Sequence, residues 1–421
     1  MSQLIRFPGM VDMHVHMREP GMAQKEDWLT GTSAAVAGGV VAVVDMPNTI
    51  PPTFTSEALD EKEKIAREKA LCDYGFYFGS DGSNLGEFEK VYDRVLGLKL
   101  YLDETTGAPP RHSHGNGNPD SKNKSIPVFS GSPIKACPAL DAGSVMTLKQ
   151  GANTLLLEDE KIIKSIFRAW PRGKPILVHA EGEKLARAII LAQKNYQKLH
   201  CCHIATKKDI EVIAKAKMKG ISLTCEVSPH HLFLTNKDRT RLGSLAMMKP
   251  ELGTEADQQA LWNHIQKGTV DCIATDHAPH TLEEKLTSDQ HSDPSSVPPL
   301  LRGGWGGPWG VPGLETAMPL LLTAVEDGKL THEELTRLTN INPCRILGIR
   351  PAGQTYVEVE TGIQYQLDER TLKTKCGWSP FADMTLKARV ARTIIRGVEV
   401  YKDGKIVAAK GVGRPILSSP T

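Results

Sequence analysis

Eight short apolar runs, each separated from the next by a longer and more polar stretch, constrain this chain more than any other feature. They read MVDMHV near residue 10, GVVAVVDM at 39–46, CDYGFYFG at 72–79, GLKLYL at 97–102, KPILVHA at 174–180, LHCCHIA at 199–205, GISLTCEV at 220–227 and VDCIATD at 270–276. Each is apolar on both faces, as a strand covered on both sides must be; a strand with one wet face would alternate. Between them, SEALDEKEKIAREKA and KKDIEVIAKAKMKG have helical periodicity, the second closed by a glycine. Strand and helix alternating around eight strands predict an α/β fold, a parallel (β/α)8 TIM barrel over residues 12–350.

Past residue 350 the pattern changes to alternating runs rich in threonine and valine, TYVEVE and ADMTLKARVARTIIRGVEVYKDGKIVAAKG, with a DG turn near the end. Residues 351–421 are therefore expected to form a small β module and tail. The strand LIRF within residues 1–11 is expected to join it, so that the two chain ends frame the barrel. The abrupt entry into the first strand and the proline-containing tail are the pattern of a domain cut from a longer polypeptide. Two stretches, 106–150 and 286–312, are rich in Gly, Pro, Ser and Asn and follow strand ends. Loops this long in a barrel serve as lids, interaction segments or disordered insertions.

With 51 basic and 49 acidic side chains the formal net charge is +2, which gives no electrostatic case for nucleic acid or an anionic membrane. Small molecules or proteins are the expected partners. No run approaches the roughly 18 to 20 apolar residues of a membrane span and no signal region opens the chain, so a cytoplasmic location is expected. The eight cysteines form no CxxC pair and several lie in apolar runs, as reduced core residues do.

The polar exceptions within the runs carry the chemistry. In a barrel the C-terminal strand ends open on the mouth where reactions occur. His14 and His16 close the first strand, Lys99 sits in the fourth, His179 ends the fifth, His203 follows the sixth and Asp276 the eighth. Side chains alternate along a strand, so the HxH pair places both imidazoles on one side, where two nitrogens can share a metal. A single strand histidine is commonly a hydrogen-bonded core residue. Four histidines and an aspartate at one mouth make a donor set of the kind zinc prefers. Lys99, between leucines, reads either as a lysine whose head reaches the mouth or as a desolvated amine able to take up carbon dioxide. The resulting carbamate has two oxygens and could bridge two metal ions about 3.5 to 4 Å apart.

Taken together, VDMHVHMREPG, GLKLYLDET, ILVHAEG, CHIATKKDI, CEVSPHHLFL, MKPELGT, CIATDHAPHTLEEK and VPGLETAMPLLLTAV resemble the dihydroorotases of the amidohydrolase superfamily, in particular the dihydroorotase domain of multifunctional CAD-type pyrimidine proteins. The resemblance covers residues 5–105 and 165–415. It implies an enzyme that reversibly cyclises N-carbamoyl-L-aspartate to L-dihydroorotate. It further implies two zinc ions bridged by carboxylated Lys99, one served by His14, His16 and Asp276 and the other by His179 and His203. Asp276 would be the proton shuttle, and Arg18, Asn48 and His280 would hold the substrate carboxylate. Cys202 and Glu226 match an additional metal site of the animal-type domain, and read equally well as a buried thiol and a structural carboxylate. A homodimer, joined in one polypeptide to carbamoyl-phosphate synthetase and aspartate transcarbamoylase domains, is the expected assembly.

Three departures bear on activity. Lys249 stands before PELG where the animal-type motif has a substrate-binding arginine, and lysine lacks the planar fork. Thr105 is followed by Thr106 instead of phenylalanine, and the covering loop gives way to an insertion of about 45 residues. The segment RGGWGGPWG adds apolar residues beside the mouth, where they could cover it or contact another domain. Fungal CAD-like proteins carry a dihydroorotase-like domain regarded as defective, and these departures are similar to that branch. A catalytically impaired domain kept for structure and oligomerisation is therefore expected, with a working zinc dihydroorotase as the alternative.

Overall fold

All eight runs are strands. The computed structural model describes residues 2–103, 157–289, 309–350 and 352–418. In these residues a short strand, Gln3–Phe7 (β1), precedes Met10–Val15 (β2), Val40–Asp45 (β3), Asp73–Gly79 (β4), Gly97–Tyr101 (β5), Ile176–His179 (β6), Leu199–Cys201 (β7), Leu223–Val227 (β8) and Cys272–Ile273 (β9). Strands β2 to β9 pair in chain order as one sheet, and every pair is parallel. The ring closes just beyond the regular ladder. Val15 bridges His277, whose carbonyl accepts the His16 N–H at 2.8 Å. Asp12 spans the same seam, accepting from the Thr275 hydroxyl at 2.5 Å and the Thr275 N–H at 3.1 Å. Burial pushes the Asp12 carboxyl up to about 7.

The helices start where a side chain can satisfy their free N–H groups. Asp27 accepts from Leu29 N and Thr30 N, each at 2.9 Å, to cap Trp28–Ala37. Thr55 caps Ser56–Lys69, the first helix expected from periodicity, and Thr206 caps Lys207–Met218, the second. Gly220, just past the latter, takes φ of 75°, the left-handed value that lets the chain turn back. Outward strand residues such as Val15, Val43, Phe76, Leu98 and Val178 join the helices in one large apolar cluster. Val11, Met13, Ala42, Val44, Tyr77, Leu177 and Cys272 fill the barrel itself.

A β-bulge in β2 sets the phase of the site. Asp12 stands opposite Val43 and Val15 opposite Asp45, so Met13 and His14 together face the single residue Val44. Strict alternation would have sent Met13 and His14 to opposite faces. The extra residue lets Val11 and Met13 fill the interior while His14 and His16 still turn inward, which is how bulges re-aim side chains beside active sites.

The second sheet has the order β1, then Tyr356–Gln366 (β10), Thr385–Ile395 (β11), Val398–Lys402 (β12) and Lys405–Ile406 (β13), antiparallel throughout. Both chain ends build it, as the alternating runs imply. The tail then runs along β4: Tyr74 N–H donates to Arg414 O at 3.0 Å and Ile416 N–H to Tyr74 O at 2.7 Å. Ile416 lies against the cluster containing Leu96, Leu347 and Ile349.

The 106–150 insertion lies outside the described residues, as do positions 290–308 of the second. Where the chain returns from the first, Leu157 N–H donates to Tyr101 O at 2.8 Å. Among the described residues the seven cysteines form no disulfide, and six of them are buried. No helix there is long and apolar enough to cross a membrane.

Candidate metal centre at the barrel mouth

β2 delivers His14 and His16, β5 Lys99, and β6 His179, while the turns after β7 and β9 supply His203 and Asp276. All six are buried, none exposed beyond 5%. Asp276 Oδ1 stands 3.4 Å from His14 Nε2 and 3.2 Å from His16 Nε2. His179 Nδ1 and His203 Nε2 are 2.7 Å apart, and the His14 and His203 rings lie 5.1 Å centroid to centroid. The sequence-predicted ligands thus converge on one mouth.

Lys99 Nζ sits 3.0 Å from Cys202 Sγ and 5.2 Å from the centroid of the Tyr101 ring. A thiol is a weak acceptor for a buried ammonium. Burial also pushes the Cys202 thiol up to about 12, against the pull of Lys99, so it stands as a neutral group. The lysine is thereby held without a protein carboxylate hydrogen-bonded to it among the described residues.

Burial lowers the basicity of His14, His16 and His203, which favours neutral imidazole, the form that binds metal. The Asp276 carboxyl is raised to about 6 by burial, in spite of His14 and Lys99. His203 Nδ1 is buried with no hydrogen-bond partner. Donor atoms of His14, His16 and Asp276 lie within 4.8 Å of one another. Two imidazoles and a carboxylate with donor atoms this close, and the facing nitrogens of His179 and His203 at the same mouth, fit zinc, because each donor would otherwise be desolvated for nothing. Three site residues also have left-handed backbone: Arg18 at φ 61°, His203 at 33° and Asp276 at 47°. Each such non-glycine residue costs on the order of 1–3 kcal/mol, and strain of this kind gathers at functional sites.

A further shell orients these groups. Asn48 Oδ1 meets His16 Nδ1 at 2.7 Å. Glu226 bonds His14 Nδ1 with one oxygen, which also accepts from His203 N at 3.1 Å, and meets His200 Nε2 at 3.0 Å with the other. Although burial alone would raise its carboxyl, His14 and His200 hold Glu226 well below the usual carboxylate range. His14, Cys202 and Glu226 also form a cluster within metal-holding reach, as do His200, Glu226 and Cys272. His200 and Asp12 were not singled out from the sequence. Each was visible only as a polar residue inside an apolar run.

Two of the carboxylate-binding candidates, Arg18 and His280, lie together, while Asn48 lies against His16. Arg18 is buried, its Nε donating to Pro279 O at 3.2 Å and its Nη2 standing 3.4 Å from His280 Nε2, while Nη1 has no hydrogen-bond partner. His280 Nδ1 meets Glu284 at 3.0 Å and Lys25 at 3.2 Å, and its Nε2 lies 3.1 Å from Trp309 O. Lys249 joins this side through Trp309, its Nζ 4.6 Å from that ring centroid and 3.2 Å from Glu251 Oε1.

Residues 3–94 match the family model described as dihydro-orotase-like. The chain is also 32% identical to the dihydroorotase of Methanosarcina acetivorans, over 97% of this chain and 84% of that protein. It belongs to the dihydroorotase family. Multifunctional protein pyr1-3 of Dictyostelium discoideum is 36% identical over 99% of the chain, yet the chain spans only 16% of that protein's length. Among solved structures, the inactive dihydroorotase-like domain of the Chaetomium thermophilum CAD-like multifunctional protein has a TM-score of 0.70. That match has 22% identity and covers 98% of this chain and 99% of that one, a likeness of fold. The dihydroorotase resemblance read from the motifs is thus correct, and the segments that carry it are those that build the mouth.

Proposed function

We propose that this chain is a dihydroorotase-type domain that keeps its binuclear zinc constellation intact while its turnover is strongly impaired. The observation that carries the reading is the convergence of His14, His16, Lys99, His179, His203 and Asp276 on one buried mouth. His14, His16 and Asp276 would hold one zinc ion and His179 and His203 the other, with Lys99 in its carboxylated form between them. Zinc held there supplies Lewis acidity for amide hydrolysis at neutral pH. Glu226 is taken up by His14, His200 and His203 N, and Cys202 by Lys99, which favours orienting roles for both over a third ion.

The substrates are L-dihydroorotate and N-carbamoyl-L-aspartate. In ring opening a C–O bond forms to the carbonyl carbon and the ring C–N bond breaks. Asp276 takes the proton from water at its carboxylate and hands it to the leaving nitrogen. Arg18, Asn48 and His280 grip the substrate carboxylate, and the unpartnered Arg18 Nη1 is the free half of a guanidinium fork. Impairment follows from Lys249 in place of an arginine and from the long insertion where a short closing loop is needed to exclude water. The barrel then serves as architecture: a homodimer in the cytoplasm, within a polypeptide that also carries carbamoyl-phosphate synthetase and aspartate transcarbamoylase domains.

The complete ligand set favours a second reading, an active zinc dihydroorotase. Turnover of both substrates by the zinc-loaded protein, with metal content determined on the same sample, decides between them. About two zinc ions per chain with little turnover supports the first reading, and robust turnover supports the second. Protein that takes up no zinc, or whose zinc content Lys99→Ala leaves unchanged, sinks both.

A further inference from the structure

Trp309 links the two parts of the carboxylate side that the family reading treats separately. Its carbonyl oxygen lies 3.1 Å from His280 Nε2, and its indole ring lies 4.6 Å from Lys249 Nζ. The backbone fixes this placement. Gly310 N–H donates to Met247 O at 2.9 Å, and Ala278 N–H donates to Val311 O at 2.9 Å. Gly310 has φ of 135°, and a Cβ there would come within 2.3 Å of Ala278 O, so a side chain is excluded where the chain passes close to Ala278. Trp309 is therefore set on the rim by its neighbours.

Lys249 is consequently engaged twice, by the face of the indole and by Glu251 Oε1 at 3.2 Å. A lysine ammonium is a compact point charge on a flexible stem, easily drawn to one side by a π face and a carboxylate. Arg18, by contrast, keeps one buried nitrogen unpartnered. Arg18 and Lys249 are thus unequal: one is ready for an anion and the other is already occupied.

We propose that Trp309 is a specificity-determining residue of the carboxylate side, its indole face competing with the ligand carboxylate for Lys249 and so weakening ligand binding. The proposal rests on the dihydroorotase reading and deepens it: a single aromatic residue at the end of the second insertion adjusts how strongly the domain holds its anionic ligand. Removing the ring releases Lys249, and a cation–π contact of this kind corresponds to about 3- to 10-fold in affinity.

The test is titration calorimetry of L-dihydroorotate into the zinc-loaded protein, for the parent, Trp309→Ala, Trp309→Phe and the double variant Trp309→Ala with Lys249→Met. Trp309→Ala should bind about 3- to 10-fold more tightly, Trp309→Phe should stay near the parent, and the double variant should lose the gain. In parallel, acetylation of Lys249 by an N-hydroxysuccinimide ester, followed by mass spectrometry, should run several-fold faster in Trp309→Ala, which reports the contact without any ligand. Measurable binding that Trp309→Ala leaves unchanged, or a gain that survives Lys249→Met, overturns this proposal alone. Absence of binding in every variant overturns this proposal together with the carboxylate-gripping role of Arg18, Asn48 and His280, whereas the metal reading falls only if the protein takes up no zinc.

Discussion

Replacing Lys62 with methionine should cost the fold about 3–5 kcal/mol, the range for stripping one partner from a buried ion pair. Lys62 Nζ lies 2.6 Å from Asp45 Oδ2, and neither side chain is exposed. The lysine also donates to Met46 O at 2.7 Å and to Thr53 Oγ1 at 3.3 Å, while Asp45 Oδ1 accepts from Met17 N at 2.7 Å. Methionine fills similar space and removes the charge, so the loss is electrostatic, not a cavity. For a chain of 421 residues, an unfolding entropy of about 2 cal/mol/K per residue converts 3–5 kcal/mol into a fall in Tm of roughly 3–6 °C.

The loss should depend on pH in a stated direction. Burial raises the Asp45 carboxyl even with Lys62 present, and losing the lysine raises it further. A carboxyl raised in the folded state stabilises fully below its unfolded value, about 3.9, and that contribution disappears as pH rises through the folded value. The deficit of the variant should therefore be smaller at pH 5 than at pH 7.5. Guanidinium unfolding followed by circular dichroism at both pH values measures it. Lys62→Met combined with Asp45→Asn should recover most of the loss, because no charge is then left buried. A deficit below about 1 kcal/mol, a deficit equal at both pH values, or a double variant as unstable as the single one would falsify the argument.

Glu226→Gln should lower zinc affinity about 10- to 100-fold, because it weakens the carboxylate that orients His14 and reaches the His203 backbone; competition with a chelator measures this, and unchanged affinity rejects the orienting role. Replacing 106–150 with a short Thr-Phe loop should leave Tm nearly unchanged, since Leu157 N–H already ties to Tyr101 O at the base of the insertion, and should raise turnover, more so with Lys249→Arg; no gain in either version would place the defect elsewhere. Truncation after Gly411 should lower Tm by several degrees by removing the Arg414 and Ile416 pairing with Tyr74, and a differential scan showing no shift would mean the tail holds nothing.

Much of this molecule could be read directly from residue order. The eight strands were legible because each is covered on both faces and so forms an unbroken apolar run, and the ligands were legible because a charged or imidazole group ending such a run has few bland explanations. What escaped notice did so for physical reasons. Lys62 stands in SEALDEKEKIAREK, a charged helix where any lysine looks solvated, yet it is wholly buried. Only its encounter with Asp45, at the end of the strand that precedes that helix, explains why. Asp12 resembles a conflict inside an apolar strand until the ring closes and brings Thr275 opposite it. Trp309 was legible only as one apolar residue of RGGWGGPWG beside the mouth, and its contact with Lys249 arises from what lies across the rim.

The bulge in β2 gives the first strand two jobs that a regular strand could not combine. A regular strand of the same sequence that kept Val11 and Met13 inside would turn His14 and His16 out toward the helices. Deleting Met13 therefore takes out the bulge and one interior side chain together: Val11, His14 and His16 fall into simple alternation on one face, so zinc binding should survive while stability falls.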